Sequence, residues 1–157
     1  MFDKKFVLST LPDAKIIHDT FPPESSFSID TRTIKQGDIF VALAGTHVDG
    51  HDFVKQALEK GAGGLLINTD RQDMLKNCPA VLLQKKLVIV VRDTYKALYA
   101  FSAAWRAQFN YPVVGITGSI GKTSTKEMVS NVVALTGKPY VATYGNYSSQ
   151  LGLAHCI

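Results

Sequence analysis

An apolar run that breaks into a glycine-rich turn and then into Gly-Lys-Thr constrains this chain more than any other string in it. The run is Val113-Val114-Gly115-Ile116-Thr117-Gly118-Ser119-Ile120-Gly121-Lys122-Thr123. It predicts a strand over Val113 to Thr117, a tight turn, and a helix carrying Met128, Val129, Val132, Val133 and Leu135. Gly118 and Gly121 let the backbone curl until successive N–H groups point inward at phosphate oxygens, and the new helix adds its positive end. Lys122 is placed to neutralise β- and γ-phosphates, and the Thr123 hydroxyl to ligate magnesium. The general phosphate-loop pattern asks for glycine where this chain has Ile116, because Gly115 stands one residue early; GxxGKT remains. The bland alternative is a tight turn with a surface lysine. Such a loop names no reaction, since kinases, GTPases, motor ATPases and ligases all use it.

The rest of the chain sets the context. Its 157 residues suffice for one ordinary domain, or for a small domain and part of another. With 46% hydrophobic and 19% charged residues the chain is expected to fold rather than stay disordered. The net charge of +4 is scattered, without a block of like charges, and decides little between nucleic acid and anionic small molecules; the partners expected are small molecules and not nucleic acid. Cys78 and Cys156 offer neither a zinc spacing nor a disulfide framework. No stretch approaches the roughly 18 apolar residues of a membrane span, and no signal-peptide core follows Met1. The expectation is a reduced, soluble, cytoplasmic protein.

Upstream of the loop the hydrophobic period changes repeatedly. Pro12, Pro22 and Pro23 break up the first 26 residues, leaving a short helix before Pro12. Ser26 to Asp30 and Asp38 to Ala44 read as strands around the turn at Lys35-Gln36-Gly37-Asp38. Asp52 is read as the N-cap of a helix with Phe53, Val54, Ala57 and Leu58 on one face, ended by Gly61. Gly64 to Asn68 is the returning strand, so the unit is βαβ with parallel strands. After a surface excursion over 69–79 come short apolar runs at Ala80 to Leu83 and Leu87 to Val91. Asp93 or Thr94 caps a helix to about Phe109, with Leu98, Phe101, Trp105 and Phe109 as its apolar stripe. The fold class is α/β: a small mixed domain over 1–84, then a linker helix and the start of a parallel-sheet, phosphate-loop domain over 85–157.

The string Thr117 to Met128 (TGSIGKTSTKEM) is similar to the ATP loop of the Mur ligases, the enzymes that build the peptidoglycan peptide. Its TGS and TKEM resemble the MurF branch, and so does Gly145-Asn146 followed by Leu151-Gly152. Asp30-Thr31-Arg32, Gly37 to Leu43, Gly45 and Asp49 to Phe53 resemble the uridine-nucleotide domain shared by the MurE and MurF branches. The resemblance implies that Gly118, Ser119, Ile120, Gly121, Lys122, Thr123 and Ser124 hold ATP. Lys122 would act on the γ-phosphate, Thr123 on Mg2+, and Asn146 near both. It implies that Ile29, Asp30, Thr31 and Arg32, with Thr46, His47 and Val48, line the UDP-sugar site. Arg32 has an equally plain alternative, a structural ion pair to Asp30 or Asp38, and His47 and His51 could be ordinary loop histidines. Ile120 stands where the family has asparagine, and Ser148 and Ser149 where it has two more.

The implied reaction is an amide ligation through an acyl phosphate, joining D-alanyl-D-alanine to UDP-MurNAc-tripeptide, by an enzyme acting as a monomer. Other readings stay open. They are a MurE-type ligase adding the third amino acid, an unrelated phosphate-loop NTPase, and a module that binds a UDP-sugar without turnover. The ending, Leu151 to Ile157, is apolar and unpunctuated, which leads us to expect an incomplete second domain and a piece inactive alone.

Overall fold

A computed structural model describes residues 3–23 and 26–143, and the chain forms two compact units that divide at Ala104/Trp105. The first unit is built on a five-stranded sheet of order β1-β5-β4-β3-β2. Its strands are β1 (Lys15–Asp19), β2 (Phe27–Ser28), β3 (Ile39–Val41), β4 (Gly64–Asn68) and β5 (Leu87–Val91). β2, β3, β4 and β5 run parallel, while β1 pairs antiparallel with β5 at one edge, with a register shift between Ile16 and His18. The sheet is therefore mixed.

The two longest parallel strands read GLLIN and LVIVV because both of their faces are covered, leaving no position for a polar side chain until Asn68. Phe40, Leu65, Ile67, Val88 and Val90 alternate onto one face, where Val54, Ala57 and Leu58 of helix α2 (Val54–Glu59) join them in one buried cluster. Ile39, Val41, Leu66 and Ile89 take the other face. The buried residues left for it are Val7 of α1 (Lys4–Thr10) and Ala97, Leu98 and Phe101 of α4 (Thr94–Arg106). The rings of Phe6 and Phe27 stack on Phe101, with centroids 5.9 and 5.6 Å away.

Gly61 ends α2 at φ +96°, as expected for a left-handed cap. Beside it, Gly63 passes so close to Gly37 that a Cβ on Gly63 would lie 2.5 Å from the Gly37 carbonyl oxygen. The backbone bonds Gly37 N to Gly61 O and Gly63 N to Asp38 O seal this crossing.

Several expectations shift. β1 escaped the sequence reading because an edge strand with one covered face leaves only Ile16 and Ile17 as apolar signal. Asp52 is not the cap: Asp49 accepts from the backbone N–H of His51 and starts a 3-10 turn (Gly50–Phe53) that runs into α2. Ala80–Leu83 form one helical turn, α3. Asp93 caps α4 by accepting from Lys96 N, while Thr94 turns inward and is buried. The compact division lies at 104/105 and not at 84/85, because β5 is a central strand and α4 carries core side chains; a cut at 84 would split the sheet.

The second unit holds α5 (Lys122–Ala134). Val113 to Thr117, expected as a strand, has no ladder partner among the described residues. A parallel strand exists only through neighbours on its edges, and none of the described residues supplies one. Val113, Val114, Met128, Val132 and Leu135 are correspondingly exposed. No described helix is long and apolar enough to cross a membrane.

Candidate functional site

Two groups of sequence-predicted residues gather, one in each unit. In the first unit, β2 and β3 are adjacent and parallel, so the segments that follow them leave from the same end of the sheet. Asp30-Thr31-Arg32 follows β2, and Thr46-His47-Val48 lies in the loop after β3. The carboxyl ends of parallel strands are where open α/β sheets bind ligands, because the loops there are free to vary over a fixed frame.

The first segment is tied down from within. Ile29 and Asp30 are half-buried. Asp30 accepts from the backbone N–H of Arg32 at 2.8 Å and from its guanidinium at 2.6 and 3.0 Å. These bonds from Arg32, opposed by partial burial, hold the Asp30 carboxyl below its ordinary range. Arg32 is exposed, so the structure places it as the partner of Asp30 rather than of Asp38, which instead accepts from Ser26 Oγ and Lys35 N. Thr31 is buried and donates its hydroxyl to Gln56 Oε1 on α2 at 2.6 Å, while Lys60 donates to the Thr31 carbonyl at 2.7 Å. Gln56 and Lys60 were not singled out in the sequence; nothing in a helix surface pattern marks a residue whose partner lies 25 positions away.

The second segment is a closed loop. Gly45 N donates to Val48 O, Gly50 N donates to Leu43 O, and Ala44 and Asp49 form an antiparallel bridge at its neck. Thr46, His47 and Val48 are left exposed at the tip. A Cβ on Gly45 would come within 2.7 Å of the Val48 carbonyl oxygen, so the turn needs glycine there.

Below this loop lies a buried polar chain that the sequence did not disclose. His51, 3% exposed, accepts at Nε2 from the backbone N–H of Asn68, which puts the ring proton on Nδ1, 2.6 Å from Asp49 Oδ1. Arg71 reaches the other oxygen of Asp49 at 2.7 Å. Burial alone would raise the Asp49 carboxyl, but the hydrogen bonds from His51 and the charge of Arg71 outweigh it and hold the carboxyl low. Asn68 Oδ1 in turn accepts from Thr94 N, and Thr94 Oγ1 donates to Ala42 O. His51 is thus a fully bonded internal residue that fastens the loop to the ends of β3, β4 and α4.

In the second unit, Gly118 to Gly121 form the turn into α5, and Lys122 to Ser124 are its first residues. Gly121 stands at φ +82° at the N-cap, where a side chain would be strained. No side chain caps α5 and its first turn holds no acidic residue, yet Lys122 opens it. A positive helix end with a lysine and no counter-charge is a poor terminus by itself and a good one for an anion. Lys122 Nζ donates to Gly118 O at 2.6 Å, lying across the turn. Ser119, Thr123 and Ser124 are exposed, and Ile120 is 95% exposed. The turn therefore fits phosphate oxygens: backbone donors, a reachable ammonium and, at Thr123, a hydroxyl free to meet a metal ion. Asn146 lies outside the described residues, as do Ser148, Ser149 and Cys156.

Comparisons with known proteins identify the family. Residues 25–106, just over half of the chain, match the family described as "Mur ligase family, catalytic domain". The UDP-N-acetylmuramoyl-tripeptide--D-alanyl-D-alanine ligase of Synechocystis is 38% identical over 124 residues, covering 79% of this chain and 25% of the relative. The UDP-N-acetylmuramoyl-L-alanyl-D-glutamate--2,6-diaminopimelate ligase of Bacillus licheniformis is 36% identical over 118 residues, covering 74% and 22%. The crystal structure of MurF from Acinetobacter baumannii superposes with a TM-score of 0.73 at 27% identity, covering 98% of this chain and 32% of that one. The chain thus spans about a quarter of the length of the curated relatives it matches. With the family model, the sequence relatives and the fold in agreement, the chain belongs to the Mur ligase family.

Proposed function

We propose that this chain supplies the UDP-sugar unit and the ATP phosphate loop of a ligase that adds D-alanyl-D-alanine to UDP-MurNAc-tripeptide. The observation that carries the nucleotide half is the uncapped, lysine-led start of α5 behind a glycine turn. Gly118 to Ser124 would receive the phosphates, Lys122 would leave the Gly118 carbonyl for the γ-phosphate, and Thr123 would hold magnesium. Bound ATP supplies the phosphoryl group that makes the substrate carboxylate an acyl phosphate, an electrophile that an amine can attack. The chain's own work is positioning: backbone N–H groups and one ammonium set before the charge arrives.

The substrate half rests on the two loops after β2 and β3. Ile29 to Arg32 and Thr46 to Val48 would line the UDP-sugar site, with Arg32 switching from Asp30 to the diphosphate, which its fork also matches. A MurE-type specificity is the second reading, favoured by the near-equal identity to the diaminopimelate ligase. Calorimetric titration with UDP-MurNAc-tripeptide, UDP-MurNAc-dipeptide and magnesium-ATP tests both. Saturable binding with tripeptide preferred is expected; dipeptide preference would move the assignment to the MurE type. Nucleotide binding untouched by Lys122→Ala would remove the phosphate-loop role.

A further inference from the structure

Lys126 stands apart from the rest of α5. Its neighbours Thr125 and Glu127 are exposed, while its own side chain is only 16% exposed. An ammonium withdrawn that far from water needs partners for its three donors. It donates to the backbone carbonyl of Thr143 at 2.9 Å, 17 residues away in sequence, and lies 3.0 Å from Glu127 Oε1. Lys126 follows Lys122 by four positions, which puts both on one helix face, about 6 Å apart along the axis. Two lysines there oppose each other and the positive helix end, so local stability does not explain the pair. Reaching across to a distant carbonyl does.

We propose that Lys126 is a positioning residue: by holding the Thr143 carbonyl against the helix face that carries Lys122, it fixes residues 140–143 beside the phosphate loop and so shapes the nucleotide site. The inference rests on the phosphate-loop reading above. It assigns Lys126 no contact with phosphate. The neutral Lys126→Met variant keeps the aliphatic stem but loses the donor; Lys126→Arg keeps a cationic donor of similar reach.

The test pairs two measurements on the same protein, magnesium-ATP affinity by calorimetry and the rate of chymotryptic cleavage after Tyr140. Lys126→Met is expected to weaken ATP binding about tenfold, the order of one hydrogen bond from a charged donor. It should also speed cleavage after Tyr140, and Lys126→Arg should restore both. Weaker ATP binding with unchanged cleavage would overturn the proposal, making Lys126 a cation that acts on phosphate directly. Faster cleavage with unchanged ATP affinity would overturn it too, leaving the contact as scaffold only. Failure of the phosphate-loop reading is distinguishable, because wild-type protein would then bind no ATP, or would bind it indifferently to Lys122→Ala, whatever the cleavage shows.

Discussion

Replacing Thr31 by valine separates a residue that builds the site from one that touches the ligand. Valine keeps the branched shape and removes the hydroxyl that donates to Gln56 at 2.6 Å. A hydrogen bond of this kind contributes about 0.5–1.5 kcal/mol net. The larger cost of an orphaned buried acceptor does not arise, since Gln56 is exposed and water can serve its Oε1. The added methyl lies in a buried position and offsets little of the loss. A destabilisation of about 1 kcal/mol follows, which for a unit of this size is a fall in Tm of about 4 °C. Urea unfolding of wild type, Thr31→Val, Gln56→Met and the double variant would measure it. The double variant should cost little more than either single, because one bond has been removed twice over. UDP-sugar affinity should change less than about threefold, since the hydroxyl that is lost faces α2. A Thr31→Val protein of unchanged stability and tenfold weaker substrate binding would refute the reasoning, showing the hydroxyl to be spent on the ligand.

Other consequences are as direct. Gly63→Ala places a methyl 2.5 Å from the Gly37 carbonyl oxygen, backbone against backbone, and should cost more than about 3 kcal/mol in urea unfolding. A milder loss would show that the β3–β4 crossing can spread. His51→Leu keeps the volume but leaves the buried Asn68 N–H without its acceptor and takes the ring donor from Asp49, which should cost about 2–4 kcal/mol in the same assay. Asp30 and Asp49 both have carboxyls held below the ordinary value of 3.8 in the folded state. Their stabilisation is therefore complete above about pH 4 and lost as pH falls through the depressed values. Asp49→Asn should accordingly flatten the acid side of the stability curve; an unchanged slope would show that the folded carboxyl is not depressed.

The parallel core was legible from the sequence because buried strands announce themselves: GLLIN and LVIVV allow no polar face, and β4 and β5 fall where those strings do. Gly61 was legible for a local reason, its left-handed cap. β1 was not, since an edge strand writes only half a pattern. The glycine turn into α5 could be read because its residues are contiguous, from Gly118 to Lys122. The long-range bonds of Thr31, His51 and Lys126 could not, because Gln56, the Asn68 N–H and the Thr143 carbonyl lie 17 or more residues away and are backbone groups or an ordinary surface residue. Val113 to Thr117 shows the converse limit: a strand-like string becomes a strand only beside another.

The hydrogen-bond chain from His51 through Asn68 and Thr94 to Ala42 makes the two ends of the first sheet unequal under mutation. Apolar packing tolerates exchange among residues of similar bulk, whereas directional bonds between named atoms do not. The end that bears the loops is thereby anchored by its least replaceable residues, and the loop tips at 46–48 hang outside that anchorage. Tips can drift while the frame stays put. A lineage built this way can try new ligands by editing a few exposed positions, without having to find its fold again.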